Sequence, residues 1–253
     1  MVDGLHYAVA AGAGVLAGGV NAIAGGGTLI SFPALQAIGL SSIDANVTNL
    51  VALTPGYLAG SYAQRADLEG QGPTVRRLSL VAGAGALGGS ILLVEVAASA
   101  FKAVVPFLIL LSCAALLLQG RLRALLEARR AARTGPARER SLEYVVLFLS
   151  SVYGGFFGAG LGIMLLAVLG LFSDDAWARL NARKQILSLI ISAVASAFLA
   201  FSGHVVWTLA GVVAVASIVG GFAGGRVVRV VNPAVLRFFV VCFGVAVAIH
   251  YWV

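Results

Sequence analysis

Residues 25 to 28 read Gly-Gly-Gly-Thr and interrupt a long apolar run close to the start of the chain. The hydrophobic stretch that follows, 28–39, is shorter than the roughly 20 residues that a helix needs to cross a bilayer. Residues 158 to 162 read Gly-Ala-Gly-Leu-Gly and interrupt a second apolar run, which another short stretch, 161–173, follows. The same pattern at two corresponding places predicts two related halves, each with a broken helix.

The overall composition places these breaks in a membrane protein. The 253 residues are 60% hydrophobic and only 11% charged, and the mean hydropathy is +1.00. Soluble globular domains are far more polar than this. The net charge of +7 does not indicate a nucleic-acid partner, because basic residues in such a chain report which loops face the cytoplasm. We therefore expect the lipid bilayer as a partner and no nucleic acid.

Apolar segments recur along the whole chain, and two of them are the short stretches after the glycine breaks. The chain crosses the membrane eight times if these short stretches fold back, and ten times if they traverse. The segments that are long enough to span a bilayer by themselves are 6–24, 43–63, 77–98, 100–119, 143–160, 180–202, 205–227 and 233–252.

The distribution of the 17 basic residues favours ten crossings. With eight crossings, ten of them fall on one side and seven on the other. With ten crossings, all except Lys102 fall on one side, as the positive-inside rule predicts for cytoplasmic loops. The preferred topology has both termini outside and the arginine-rich segment 121–142 in the cytoplasm. This linker would fix orientation and contact anionic lipid, with a regulatory role as the alternative.

Ten crossings divide the chain into two repeats of opposite orientation. Each half has an odd number of spans, so the first repeat, 1–120, is inverted relative to the second, 143–253. The predicted fold is an all-α polytopic membrane protein of about ten segments, two of them short and glycine-broken. Inverted repeats with broken helices near the bilayer midplane are typical of secondary transporters. The expected motion is a rocking of one half against the other.

The glycine breaks are the predicted binding site. Backbone groups that lose their helical partners survive in a bilayer only inside protein or against a wet cavity. Helices that start at Thr28 and near Leu161 would aim free N–H groups and a positive dipole end at that cavity, which suits an anion. Thr28 is also the expected N-cap of its helix. Alternatively, the glycines only permit close helix packing, our interpretation for pairs such as Gly88-Gly89 and Gly220-Gly221.

Lys184 is the predicted charged group of the site. It lies inside a span, on a helix where Gln185, Ser188, Ser192 and Ser196 form one polar stripe. A charge inside a membrane span is costly and generally faces a cavity or a partner. The alternative is that the lysine snorkels along its own stem to the nearby headgroups.

Other polar residues near the breaks have two possible roles each. Asn21 lies one turn before the first break, and Asn46 and Asn49 share a helix face. These amides either bind the ligand or pin an unwound segment. Arg183 points roughly 100° away from Lys184 around the helix, and we interpret it as an anchor at the membrane surface.

Several other chemistries are excluded by motifs that the sequence lacks. The chain has no Gly-x-x-x-x-Gly-Lys-Ser/Thr phosphate loop, no His-Glu-x-x-His, no Gly-x-Ser-x-Gly and no Cys/His cluster with metal-ligand spacing. We therefore expect no catalytic residues, no enzyme activity, no cofactor and no bound metal.

The regions around both breaks resemble the TauE/SafE sulfite exporter family. The resemblance lies in Asn21 to Leu35 and Ala45 to Asn49 of the first half, and in Tyr153 to Gly162 and Leu180 to Lys184 of the second. It implies a bacterial inner-membrane permease for sulfite, organosulfonates or related small oxyanions and carboxylates. It also implies that motif residues line the pathway. With the polar stripe included, the predicted substrate-binding residues are Asn21, Gly25, Gly26, Gly27, Thr28, Asn49, Gly158, Gly160, Gly162, Asn181, Lys184, Gln185 and Ser188.

The expected function is secondary transport of a small anion, as a uniporter or with protons as the coupling ion. Two alternatives stay open at this point. One is an anion channel or passive pore, and the other is a membrane scaffold that transports nothing. Long apolar helix faces are compatible with a homodimer.

Overall fold

A computed structural model describes residues 3–23, 25–131, 140–173, 175–227 and 233–251. Within these residues the chain forms ten α-helices and one short 3-10 turn, and the all-α fold with ten helical segments is confirmed. The helices are α1 (Gly4–Ile23), α2 (Thr28–Ala37), α3 (Ser42–Ala63), α4 (Gly72–Glu95), α5 (Ala98–Ala131), α6 (Arg140–Phe156), α7 (Leu161–Phe172), α8 (Trp177–Leu199), α9 (Trp207–Val227) and α10 (Pro233–His250).

The helix lengths agree with a multi-pass membrane protein. Among the described residues, four helices are long and apolar enough to cross a membrane: Gly72–Glu95, Ala98–Leu122, Trp177–Leu199 and Trp207–Gly224. Shorter apolar helices are Ser141–Phe156, Leu161–Phe172 and Phe238–Ile249. At a rise of about 1.5 Å per residue, α2 is only about 15 Å long, roughly half of the hydrocarbon core.

Several helices begin before their apolar stretches do. α4 begins at Gly72 instead of 77, and α8 begins at Trp177 instead of 180. A helix continues past the hydrocarbon core into the polar interface, where hydropathy no longer marks it.

The predicted linker 121–142 is partly helical. α5 does not end at 119 but runs on to Ala131, so the first part of the linker continues a membrane helix. Residues 132–139 of the linker lie outside the described residues. The same holds for residues 1–2 and 252–253, the termini whose side of the membrane the sequence predicts.

α1 and α9 pack with their backbones in contact. Gly14 of α1 faces Val213 of α9, and Gly18 faces Ser217, so the two helices run parallel. A Cβ atom added to Gly18 would lie only 2.2 Å from the carbonyl oxygen of Ser217. Small residues at such a contact let helix backbones approach closely.

α4 and α6 form the corresponding pair. Gly85 of α4 faces Phe148 of α6, and Gly89 faces Val152, so these helices are parallel as well. A Cβ atom on Gly89 would lie 2.0 Å from the Val152 carbonyl oxygen. The packing role predicted from the Gly88-Gly89 pair is therefore confirmed for Gly89, whereas a Cβ on Gly88 would meet no described atom within 4 Å.

The main helix contacts join the first half of the chain to the second. α1 and α3 pack on α9, α4 packs on α6 and α8, α3 packs on α8, and α5 packs on α10. By their order in the two halves, α1 corresponds to α6, α3 to α8, α4 to α9 and α5 to α10. When each helix in the pairs above is replaced by its counterpart, the same set of pairs results. The packing is therefore matched between the halves, and the halves interlock.

Polar contacts between helix ends define two ends of the bundle. At the His204 end, Nδ1 of His204, between α8 and α9, lies 2.7 Å from Oδ1 of Asp44 at the start of α3. At the Gln64 end, Oε1 of Gln64, directly after α3, accepts from Nδ2 of Asn181 near the start of α8 at 2.7 Å. α3 and α8 are therefore adjacent and antiparallel.

The short helices return the chain to the end from which it came. α9 begins at the His204 end, and α1 is parallel to α9, so α1 and α3 both begin at that end. After α1 has run towards the Gln64 end, α2 must therefore bring the chain back to the His204 end, where α3 begins. In the second half, α4 begins at the Gln64 end with α6 parallel to it, and α8 begins there too, so α7 makes the equivalent return.

Candidate anion site at the helix breaks

The chain turns back between α1 and α2 through two glycines. Gly25 and Gly26 have φ angles of 71° and 145°, which residues with side chains rarely adopt. The Gly25 N–H donates to the carbonyl oxygen of Val20 at 2.9 Å. A hydrogen bond across five residues of this kind is typical of the Schellman motif, which ends α1 here. Oδ1 of Asn21 then accepts from the Gly26 N–H at 3.1 Å and from the Gly27 N–H at 2.8 Å.

Asn21 holds this first break together. Its oxygen takes the two N–H groups that precede α2, so Gly26 and Gly27 do not offer theirs to a ligand in this conformation. The N-cap of α2 is Gly27 and not the predicted Thr28, which is the first helical residue and is buried. Asn21 of α1 supplies the acceptor that an N-cap side chain would otherwise provide. Of the two roles predicted for Asn21, pinning the unwound segment is the one that these contacts support.

Replacing Asn21 with alanine is expected to lower the thermal stability of the protein. The change leaves two buried N–H groups without an acceptor, at a cost of about 1–3 kcal/mol for each unsatisfied group. Asn21→Asp keeps an oxygen at the same position and should lose less. The apparent melting temperatures of the purified variants test this, and an unchanged value for Asn21→Ala would contradict it.

The second break repeats the geometry of the first. The Gly158 N–H donates to the carbonyl oxygen of Tyr153 at 3.2 Å, the same Schellman-type bond that ends α1. Gly158 and Gly160 have φ angles of 75° and 71°. Gly160 is the N-cap of α7, in the position that Gly27 has before α2.

A different set of side chains braces the second break. Its position 154, which corresponds to Asn21, is a glycine. The Tyr153 hydroxyl instead donates to the carbonyl oxygen of Ala159 at 2.7 Å, and Oγ of Ser112 on α5 lies 2.8 Å from that hydroxyl. The contact between these residues escapes sequence analysis, because an isolated serine and a tyrosine on apolar helices give no signal of it.

The N–H groups at the start of α7 are left for other partners. Because the brace binds a carbonyl oxygen, it does not use the amides of the break. No acceptor for the N–H groups of Gly160 and Gly162 is found in the described part of the chain. Unpaired N–H groups at a helix start, together with the positive end of the helix dipole, favour an anion.

The two breaks meet each other beside Lys184. A Cβ atom on Gly25 would lie 3.4 Å from Cα of Gly162. A Cβ atom on Gly162 would in turn lie 3.4 Å from Cδ and 3.9 Å from Nζ of Lys184. Lys184 is only 4% exposed, so it does not snorkel to the surface. Its ammonium group has no hydrogen bond or ion pair within the described residues.

The chemistry of this cluster suits an anion. A buried ammonium group without a counter-charge costs several kcal/mol. The N–H groups of Gly160 and Gly162 add donors at the adjacent helix start. The free groups of Lys184, Gly160 and Gly162 are all hydrogen-bond donors, so one oxyanion would compensate them together.

Asn49 lies beside the start of α2, as Lys184 lies beside the start of α7. Its Oδ1 accepts from Oγ of Ser31, which also lies 3.2 Å from the carbonyl oxygen of Gly27. Nδ2 of Asn49 is buried and has no partner among the described residues. Sequence analysis missed Ser31, although it lies one turn after Thr28 on the same helix.

The polar stripe that includes Lys184 contains both free and engaged groups. Oε1 of Gln185 and Oγ of Ser188 are buried and have no partner within the described residues. Asn181 is engaged, because it donates to Gln64 at the end of α3. Ser196 lies 2.7 Å from Oγ1 of Thr54. Asn181, a predicted substrate-binding residue, therefore ties α8 to α3 in this conformation.

Arg183 is not the surface anchor that the sequence indicates. Its side chain is buried, Nε donates to Oε1 of Gln71 at 2.8 Å, and Nη2 pairs with the carboxylate of Asp175. Burial alone would raise the pKa of Asp175, but hydrogen bonds from Arg183 and Ser173 and the nearby charge outweigh this and hold the pKa below its usual value. The carboxylate therefore stays ionised at neutral pH. Helix periodicity directs Arg183 away from Lys184 but does not reveal which loop covers that face.

Known proteins that resemble this chain are membrane transporters by name. This chain is 27% identical over 237 residues to “Probable membrane transporter protein” of Haemophilus influenzae, and the aligned region covers 90% of this chain and 87% of the relative. It is 24% identical over 244 residues to “Probable membrane transporter protein YfcA” of Escherichia coli K12, with 95% and 87% covered. “Probable membrane transporter protein ORF9” of Sinorhizobium sp is 25% identical over 242 residues, with 94% and 89% covered. No solved structure matches the chain.

The family comparison covers nearly the whole chain. The profile described as “Sulfite exporter TauE/SafE” matches residues 10–251, which include both glycine breaks and Lys184. The resemblance predicted from the two motif regions is confirmed, and the protein is a transporter and not an enzyme. The chain belongs to the TauE/SafE sulfite exporter family of membrane transporters.

Proposed function

We propose that the protein is a secondary transporter of small anions such as sulfite, organosulfonates or related oxyanions. The observation that carries this proposal is the buried ammonium group of Lys184, which lies where the two broken helices meet and has no partner within the described residues. The names of the relatives support membrane transport, and the family description supports sulfite or a similar anion.

The bound anion would be held mainly by the second half of the chain. Lys184 would supply the positive charge, and the N–H groups of Gly160 and Gly162 would donate to the anion's oxygens. Ser188 lies one turn after Lys184 on α8, and its free hydroxyl is a further donor. The first half would contribute the backbone of Gly25, which closes the site from the opposite side.

The helix directions support an inverted repeat. α1 begins at the His204 end and α6 at the Gln64 end, and the packing pairs exchange when the halves are exchanged. In our proposal the His204 end faces outside and the Gln64 end faces the cytoplasm. This assignment places Arg65, Arg76, Arg77 and Arg179 on the cytoplasmic side, as the positive-inside rule expects.

Alternating access needs contacts at both ends that open in turn. At the His204 end, the Val206 N–H donates to Oγ1 of Thr48 at 3.0 Å. At the Gln64 end, Arg183 donates to Gln71. Thr48 and Arg183 are corresponding residues of the two halves, each directly before a predicted site residue. We propose that they belong to an outer and an inner gate, and that both gates are closed in this conformation.

The interlocked packing favours a motion other than the rocking of one sequence half against the other. α1, α3, α4, α6, α8 and α9 form one connected group, and α5 and α10 form a second, with α2 and α7 packed on helices of both groups. Each group draws helices from both halves. Lys184 belongs to the first group, and Gly162 lies on α7, which contacts both groups. We propose that movement between these groups exposes the site.

Anion flux into proteoliposomes tests the proposed function. Uptake of labelled sulfite and of short organosulfonates is measured against external concentration, with and without the same anion inside. A carrier saturates and is accelerated by internal substrate, whereas an open pore does neither. Flux equal to that of empty liposomes for sulfite, sulfonates, sulfate and carboxylates alike would contradict the proposal.

Cysteine labelling is expected to place the two ends of the bundle on opposite sides of the membrane. Cys113 and Cys242 are first replaced by serine, and Phe201→Cys or Glu69→Cys is then introduced at an exposed position of the His204 end or the Gln64 end. An impermeant maleimide should label Phe201→Cys in intact cells and Glu69→Cys only after permeabilisation. Equal labelling of both variants in intact cells would exclude this topology.

A further inference from the structure

A large cavity lies at the His204 end of the bundle. Its volume is about 1110 Å³, and it is a partly open cavity bordered by the ends of α2 and α10 and the starts of α3 and α5. Ser42 at the start of α3 and Pro33 in the middle of α2 both line it. Lys184 is not among the lining residues, so the cavity is separate from the central site.

Lys102 is the charged residue of the cavity lining. It lies in the second turn of α5, and no hydrogen bond or ion pair to it is found within the described residues. The neighbouring polar groups satisfy one another, because Gln36 donates to Ser42 at 2.9 Å and the Tyr251 hydroxyl donates to Gln36. Lys102 is exposed, and its ammonium group is free to contact a ligand in the cavity.

The rest of the lining is mainly apolar. Ala34, Leu40, Phe243 and Val247 are among the residues that form it. Sites for organic small molecules have volumes of about 300–1,000 Å³ and apolar walls with a few polar groups. An inorganic oxyanion would fill only a small part of this cavity and would leave its apolar wall uncovered.

We propose that this cavity is a second binding site, for organic anions with an apolar body, such as aryl sulfonates or aryl carboxylates. The anionic group would lie at Lys102 and the apolar body against Ala34 and Phe243. The inference rests on the proposed function in one respect, namely that the cavity leads towards the central site. Pro33 lies two residues from Ser31, whose hydroxyl donates to Asn49. Organic anions would be collected here before they pass to the breaks.

Two sulfonates with the same head group separate the two sites in a binding experiment. Affinities for 2-naphthalenesulfonate and methanesulfonate are measured by calorimetry with the full chain in phosphatidylcholine nanodiscs. Lys102→Gln should weaken 2-naphthalenesulfonate binding about tenfold or more, because a charge-assisted contact is lost, and should leave methanesulfonate binding unchanged. Ala246→Trp fills the apolar wall without changing charge and should have the same selective effect. Arg77→Gln, which removes an exposed charge elsewhere, is the matched control and should change neither affinity.

The results for these variants decide between the cavity site and the central site. Wild-type affinity of Lys102→Gln for 2-naphthalenesulfonate would overturn the proposal. A second experiment adds phosphatidylglycerol to the nanodiscs. If this lipid competes with 2-naphthalenesulfonate in the wild type but not in Lys102→Gln, the proposal is also overturned, because the occupant of the cavity is then an anionic lipid. If Lys184→Met binds methanesulfonate normally while Lys102→Gln shows its selective loss, the central-site proposal fails and the cavity site stands.

Discussion

Replacement of Lys184 by methionine is expected to abolish anion transport and, at the same time, to raise the thermal stability of the protein. Lys184 is buried without a partner in the described part of the chain. Removing such a charge eliminates a desolvation cost of several kcal/mol, and methionine keeps the apolar stem and its contacts. Losing a buried charge that contacts the anion should lower uptake by roughly 100-fold or more. Initial uptake rates into proteoliposomes and melting temperatures without substrate provide the two measurements.

A matched substitution on the same helix separates a functional role of Lys184 from a structural one. Arg179→Met makes a similar chemical change at a side chain that is 37% exposed, and it should alter uptake and stability little. Substrate should raise the melting temperature of the wild type and of Arg179→Met but not of Lys184→Met. Uptake retained by Lys184→Met would remove Lys184 from the site. Lost uptake with a lower melting temperature would assign Lys184 a role in folding instead.

Alanine at Gly89 is expected to disrupt the fold, whereas alanine at the adjacent Gly88 should be neutral or stabilising. A Cβ atom on Gly89 would lie 2.0 Å from the Val152 carbonyl oxygen and 2.9 Å from the Phe156 nitrogen. α4 and α6 would have to separate, at a cost of at least about 3 kcal/mol. At Gly88 the added Cβ would meet no described atom within 4 Å, and alanine favours a helix over glycine by about 1 kcal/mol.

Size-exclusion chromatography after detergent extraction, followed by thermal melting, distinguishes the two variants. Gly89→Ala should give little monodisperse protein or a much lower melting temperature, and Gly88→Ala should behave like the wild type. The same comparison can be repeated on α9, where Gly220 lies against the Val15 backbone and Gly211 has no described atom within 4 Å of an added Cβ. Equal melting temperatures for Gly88→Ala and Gly89→Ala would contradict the backbone contact between α4 and α6.

The fold could be predicted well because the membrane leaves few alternatives. Hydropathy locates the eight longer helical segments, since apolar runs of this length have no other stable structure in lipid. The glycine breaks predict the two short helices, and the structure brings Gly25, Gly162 and Lys184 close together. Helix ends were less accurate, because Trp177 and the turn before Leu180 lie outside the apolar stretch.

The contacts of the individual polar residues could not be predicted from the sequence. Asn21 turns out to hold the amides of its own break, and Arg183 is buried against Gln71. Both outcomes depend on which loop or helix comes to lie next to the residue. Partners that are far apart in sequence leave no periodic signal. Thr28 shows the same limit, since its expected capping role passes to a side chain on the preceding helix.

The close contact between α1 and α9 has a consequence for the biosynthesis of the protein. α1 ends at Ile23 and α9 begins at Trp207, so the ribosome adds about 180 residues before the partner of Gly18 exists. At about 5–20 residues per second, translation of this length takes on the order of 10–40 s. During that interval the small-residue face of the first helix is covered only by lipid or by the insertion machinery. Nascent chains that stop before α9 therefore lack the partner of this small-residue face, although α1 can already contact α2 and α3.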